Sequence, residues 1–120
     1  MTMLNKNVRC LFFLIAAPPG PPTKPSVSNV SANTMTLKWE EPYHDGGSKV
    51  TGYWIEKKER NNILWVRENK IPCFECNYEV EGLVEGLEYQ FRVYAMNSGG
   101  LSKASEASKG AVAQNPVGEF

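Results

Sequence analysis

Histidine and aspartate are almost missing from this 120-residue chain: His44 and Asp45 are single occurrences. A metal site built on several imidazoles is therefore excluded, and a Ser-His-Asp triad would have to rest on His44 alone. Asp-rich calcium loops are excluded as well. There is no excess charge of either sign, since 13 basic residues face 13 acidic ones. That argues against a general nucleic-acid binder, which shows a basic stripe, and against long-range steering of charged ligands. No long apolar run occurs. The run Cys10–Ala17 falls well short of the roughly 20 residues that cross a bilayer. Cysteine is scarce and odd in number: Cys10, Cys73 and Cys76 make a poor disulfide framework. Cys73 and Cys76 form a C-x-x-C, but no second ligand pair exists for a structural zinc. A redox C-x-x-C normally opens a helix after a strand, whereas Pro72 precedes this one and β-type sequence follows. Two reduced thiols at the start of a strand is the plainer reading, and it fits a reducing compartment. Catalytic and phosphate-binding signatures of the G-x-S-x-G, P-loop and H-E-x-x-H kinds are also absent.

What is present divides at Pro18. Residues 1–17 are basic at Lys6 and Arg9 and then apolar. They read as a leader, non-native or disordered, with a secretory signal as the competing reading. Residues 18–115 read as one domain. Residues 116–120 read as a tail in which Gly118-Glu119-Phe120 has the look of a cloning scar.

Within the domain, Pro18 to Pro25 predict a stiff, extended lead-in. Val27 and Val30 suit a short edge strand, where Pro is tolerated. Met35 to Trp39 alternate apolar with polar, the period of a half-buried strand. Glu41 to Ser48 are dense in turn residues. Tyr53 to Lys58 alternate again; the apolar phase could begin at Tyr53 or Trp54, and Tyr53 with Ile55 keeps the better alternation. Ile63 to Asn69 predict a short strand carrying Trp65. Tyr78 and Val80 begin another, Tyr89 to Ala95 form the cleanest, and Ala111 to Ala113 supply the last. No segment shows a helical stripe. Seven short strands at roughly 8–12-residue spacing predict an all-β sandwich.

These residues resemble a fibronectin type III domain over about Gly20 to Asn115. The markers are Pro22, Pro25, Trp39, Tyr53, Leu83, Tyr89, Asn97 and Gly100. The resemblance implies an immunoglobulin-like, seven-stranded antiparallel sandwich with a Greek-key path. It makes Trp39, Tyr53, Leu83 and Tyr89 structural. Trp39 would be the central core tryptophan, and Leu83 with Tyr89 a tyrosine corner whose hydroxyl returns to nearby backbone. The strings PPGPP, WEEP, HDGG, GYWIEKKE and LEYQFRVYAMNSGGLS are further similar to the fibronectin modules of muscle giant proteins, as in titin's A-band, myosin-binding protein C and twitchin. That implies a non-catalytic structural module without cofactors, cytoplasmic, in the sarcomere A-band. Its implied partners are the myosin thick filament, myosin-binding protein C and neighbouring immunoglobulin or fibronectin modules, with neither nucleic acid nor membrane.

Function then reduces to contact. The third and sixth strands are neighbours in such a fold, so their outward residues share a face. By alternation these are Trp54, Glu56 and Lys58 on one and Gln90, Arg92 and Tyr94 on the other. Trp, Arg and Tyr are enriched in interface hot spots, and Arg92 is expected to stack on Trp54. A second candidate is the loop pair Tyr43–Ser48 and Ser98–Ser102, expected at one end of the sandwich, where it would touch a following module. The alternative is an extracellular recognition module. The signal-like leader and the sequon Asn29-Val30-Ser31 favour it; the free thiols and the lack of an Arg-Gly-Asp tripeptide oppose it.

Overall fold

Alternation decides where each strand puts its side chains, and the core collects one parity of every long strand. The structure, a computed structural model, describes residues 15–117. Residues 1–14 of the expected leader, with Cys10, and the expected scar at 118–120 lie outside the described residues. The strands are β1 (Thr23–Ser28), β2 (Met35–Glu40), β3 (Gly52–Glu59), β4 (Val66–Arg67), β5 (Asn77–Val80), β6 (Glu88–Asn97), β7 (Gly100–Leu101) and β8 (Ala111–Val112). One antiparallel sheet has the order β1-β2-β5; the other runs β4-β3-β6-β7, with β8 also on β6. Two sheets of this order, facing each other, make the expected all-β immunoglobulin-like sandwich.

Between them lie Met35, Leu37 and Trp39 from β2, Val80 from β5, Tyr53 and Ile55 from β3, and Tyr89, Phe91, Val93 and Ala95 from β6. Each fully buried aliphatic or phenyl side chain contributes about 1.5–3 kcal/mol. Strand β6 alternates buried and half-buried over its whole length, so its outward residues are as regularly placed as its core residues.

Two strands depart from expectation. The segment Ile63–Asn69 pairs regularly only at Val66–Arg67. Beyond Arg67 the Glu68 N–H still donates to the Ile55 carbonyl at 2.8 Å, and a buried side chain then continues the ladder. Asn69 Oδ1 accepts the Ile55 N–H at 2.9 Å, and its Nδ2 donates to the carbonyls of Tyr53 and Ile71 at 3.1 and 2.9 Å. One amide thus does what backbone would do in a longer strand.

The final strand is split. Between β7 and β8 the chain lies along β6 through serines three residues apart. The Ser102, Ser105 and Ser108 N–H groups donate to the Ala95, Val93 and Phe91 carbonyls at 2.8, 2.8 and 2.7 Å. In return the Ala95, Val93 and Phe91 N–H groups donate to the same serines' Oγ at 2.8, 2.9 and 3.0 Å. Three residues here span two of β6. The hydroxyls fill positions that backbone carbonyls hold in a normal ladder, so buried N–H groups stay paired.

Candidate functional site

The six residues expected on one face do come together. The β3–β6 register sets Trp54 opposite Tyr94, Glu56 opposite Arg92, and Lys58 opposite Gln90. Strand β4 extends the row, because Arg67 also lies opposite Glu56. The face is therefore laid out in rungs: an aromatic pair, then Arg67–Glu56–Arg92 across three strands, then Lys58 with Gln90.

Glu56 organises the centre. Its Oε1 accepts from Arg92 Nε at 2.7 Å and from the Tyr94 hydroxyl at 2.9 Å. The Arg92 and Glu56 side chains are 28% and 20% exposed, against 65% and 61% for the Lys24–Glu40 pair at 3.6 Å. Only the former is shielded enough to hold its geometry; the latter belongs to the class of surface pairs worth about 0–1 kcal/mol. Burial, and then the hydrogen bond to Glu56, push the Tyr94 phenol up. Gln90 Nε2 donates to the Ser108 carbonyl at 3.1 Å, which ties the face to the serine segment.

The expected Arg92–Trp54 stack is not formed. Arg92 lies 4.3 Å from the Trp65 ring centre and 5.7 Å from that of Tyr94, while Trp54 is covered by Arg67 at 4.1 Å. Glu56 stands between the two columns and anchors Arg92, and the edge strand supplies the cation that Trp54 receives. Lys58 Nζ sits 5.9 Å from the Trp65 ring and donates to the Asn62 carbonyl at 3.2 Å. Trp65 and Arg67 thus complete a face to which strand alternation assigns neither. The available signal was their shared parity within Ile63–Asn69, too short a stretch to fix a strand phase.

The four expected structural residues are interior. Trp39 is 5% exposed and meets Tyr53 edge-on, with ring centres 5.3 Å apart. The Val84 N–H donates to the Tyr89 hydroxyl at 2.9 Å, beside buried Leu83. This is the phenol-to-backbone return of a tyrosine corner. Cys73 has its thiol pushed up by burial, the opposite of the depression that activates a nucleophilic cysteine.

The loop pair also meets, but around a different neighbour from the one expected. Asn97 Nδ2 donates to the carbonyls of Ala17, Asp45 and Ser48 at 2.9, 2.6 and 3.3 Å. Ala17 N–H donates to the Gly46 carbonyl at 3.0 Å. Gly46 has φ 75°, and a Cβ there would collide with the carbonyls of Ala17 and Pro18. These loops therefore hold the chain that precedes the domain. The chain leaves past Ala113, whose carbonyl accepts from Gly86 N–H at 2.8 Å, at the Glu88 end of β6 and away from these loops.

Two antiparallel sheets closed over a core tryptophan and a tyrosine corner, with one sheet carrying an aromatic and charged outer face, define an immunoglobulin-like β-sandwich module. The chain belongs to the fibronectin type III family: the Fibronectin type III domain profile matches residues 20–111. It is 39% identical over 101 residues to mouse (Mus musculus) cardiac-type myosin-binding protein C, which covers 84% of this chain and 8% of that protein. Among solved structures it is similar to titin domains A168–A170, with a TM-score of 0.80 and 41% identity over 83% of this chain and 34% of that one. It is similar also to titin module A71 from human cardiac muscle, with a TM-score of 0.76 and 38% identity over 85% of this chain and 99% of that one. The chain thus spans a small fraction of the myosin-binding protein C it matches and nearly the whole of a single titin module. It is a fibronectin type III module similar to those of muscle proteins.

Proposed function

We propose that this chain is a non-catalytic structural module of a sarcomeric giant protein, cytoplasmic and at the A-band. In this reading residues 18–115 are the module. They help lay out the thick filament through weak, repeated contacts with myosin, with myosin-binding protein C and with neighbouring immunoglobulin or fibronectin modules.

The observation that carries the reading is the asymmetry of the two sheets. The outward residues of β1, β2 and β5 are Lys24, Ser26, Ser28, Thr36, Lys38, Glu40, Asn77 and Glu79, polar or charged and without an aromatic. The outward residues of β3, β4 and β6 concentrate Trp54, Arg67, Arg92 and Tyr94, the residue types that dominate interface energetics. Similarity to myosin-binding protein C and to titin modules supports a muscle setting. A clasped N-terminal lead-in supports a module set at a defined angle in an array. One such face binds weakly, and repetition at fixed spacing raises the effective concentration of the rest.

Co-sedimentation with reconstituted myosin filaments tests this, using the chain singly and as a tandem repeat. The tandem is expected to bind more tightly than the single module, and Trp54→Ala to weaken tandem binding by about tenfold, the loss of one moderate hot spot. Unchanged binding in the folded Trp54→Ala tandem overturns the assignment of this face.

A further inference from the structure

The charges on the β3–β4–β6 face do not cancel. Arg92 is satisfied by Glu56, and on the opposite parity Lys57 is satisfied by Glu68 at 3.2 Å. Among the described residues Arg67 and Lys58 have no carboxylate within salt-bridge distance. Each is nonetheless held against an indole, Arg67 at 4.1 Å from Trp54 and Lys58 at 5.9 Å from Trp65. A guanidinium over an aromatic ring uses its face for the ring and keeps its N–H fork able to grip a carboxylate with two bonds. The aromatic floor also fixes the cation in advance, which lowers the ordering cost of a contact.

We infer that this face takes an acidic protein surface, with Arg67 and Lys58 as the two cations that receive its carboxylates and Trp54 and Trp65 as the apolar floor beneath them. The inference rests on the contact-face reading above and names the chemistry of the partner. The spacing suits a helix. Arg67 leans back to the Trp54 rung, and Lys58 lies two rungs further on, roughly 13 Å along the strands. Two turns of helix advance about 11 Å, within the reach of glutamate side chains. A protein partner fits better than a nucleic acid. Among the described residues this face offers two cations without a carboxylate partner, whereas nucleic-acid faces carry a basic stripe and the whole chain has 13 basic and 13 acidic residues.

The test is an NMR titration of the full chain with two helical peptides, one carrying glutamates seven residues apart and the other glutamines at the same positions. The glutamate peptide is expected to shift the Trp54 and Trp65 indole signals and the amides of β3, β4 and β6. That binding should fade between about 0.1 M and about 1 M salt, as the Debye length falls from roughly 10 to roughly 3 Å. Arg67→Gln with Lys58→Gln should weaken it by about fivefold, the sum of two exposed ion pairs, whereas Lys38→Gln on the other sheet should not. Equal response to both peptides, shifts confined to β1–β2–β5, or indifference to the double substitution overturns the inference. An oligonucleotide of matched charge shifting the same signals as strongly also overturns it. The filament assay stands apart. Filament binding without glutamate preference removes the acidic-partner inference and leaves the thick-filament proposal. Glutamate preference without filament binding does the reverse.

Discussion

Replacing Ser105 by alanine removes one atom, and the structure says what that atom does. Ser105 Oγ accepts the Val93 N–H at 2.9 Å and donates to the Glu106 carbonyl at 2.8 Å. Val93 is fully buried and Ser105 is 7% exposed, so no solvent stands ready to replace the hydroxyl. The Val93 N–H would be left without an acceptor, at a cost of about 1–3 kcal/mol. The backbone bond from Ser105 N–H to the Val93 carbonyl at 2.8 Å survives, so the segment stays in place and the orphaned donor cannot escape. For a domain of this size that corresponds to a fall in Tm of roughly 5–15 °C. Urea denaturation followed by tryptophan fluorescence measures the loss, and amide exchange locates it: the Val93 amide should lose protection before its neighbours on β6. Glu106→Ala, at an exposed position beside it, should stay within about 0.5 kcal/mol of the parent. If Ser105→Ala is as mild as Glu106→Ala and the Val93 amide remains protected, the hydroxyl is not standing in for a strand, and the account of the split last strand is wrong.

Three further outcomes are expected. Tyr89→Phe removes the acceptor of the Val84 N–H and should lower stability by about 1 kcal/mol in the same urea assay. Asn97→Ala strips donors from the Ala17, Asp45 and Ser48 carbonyls. It should cost about 2 kcal/mol and release the Ala17 amide in exchange experiments while leaving β1, β2 and β5 protected. Tyr53, Tyr78 and Tyr94 have phenols raised above the ordinary 10.0, chiefly by burial. A raised folded-state value favours the neutral phenol, so this stability is fully present below about pH 10 and is lost as pH climbs through the folded values. The urea midpoint should hold on the neutral side of pH 10 and fall above it, less steeply in Tyr94→Phe.

The parts of this molecule that were legible beforehand are those governed by period two. In β2 and β6 polar and apolar residues alternate over six positions, which fixes both the core residues and the outward ones, while β3 is apolar on both faces at Tyr53-Trp54-Ile55 and takes its phase from Ile55 and Glu56. Trp54, Glu56, Lys58, Gln90, Arg92 and Tyr94 could therefore be assigned to one face once β3 and β6 were taken as neighbours. The pairing within that face was not legible. Sequence alone matches Arg92 to Trp54, yet the partner of Trp54 comes from β4, two residues long, where no periodicity can be read. Asn69 is equally silent in sequence: an asparagine in a polar stretch ordinarily marks a turn, and only the nearness of the Tyr53 and Ile55 backbone turns its amide into ladder.

The serines at 102, 105 and 108 show the same boundary from the other side. Their spacing of three is visible in the chain, but it matches neither strand nor helix, so alone it signals nothing. Local sequence determined the long strands, their buried faces and the family, because side-chain alternation and turn chemistry act between near neighbours. Which indole meets which guanidinium, which hydroxyl completes β6, and which chain the Asn97 loops grip were decided only by the packed fold. Hydrogen bonds and stacks between distant residues depend on positions that no local pattern encodes.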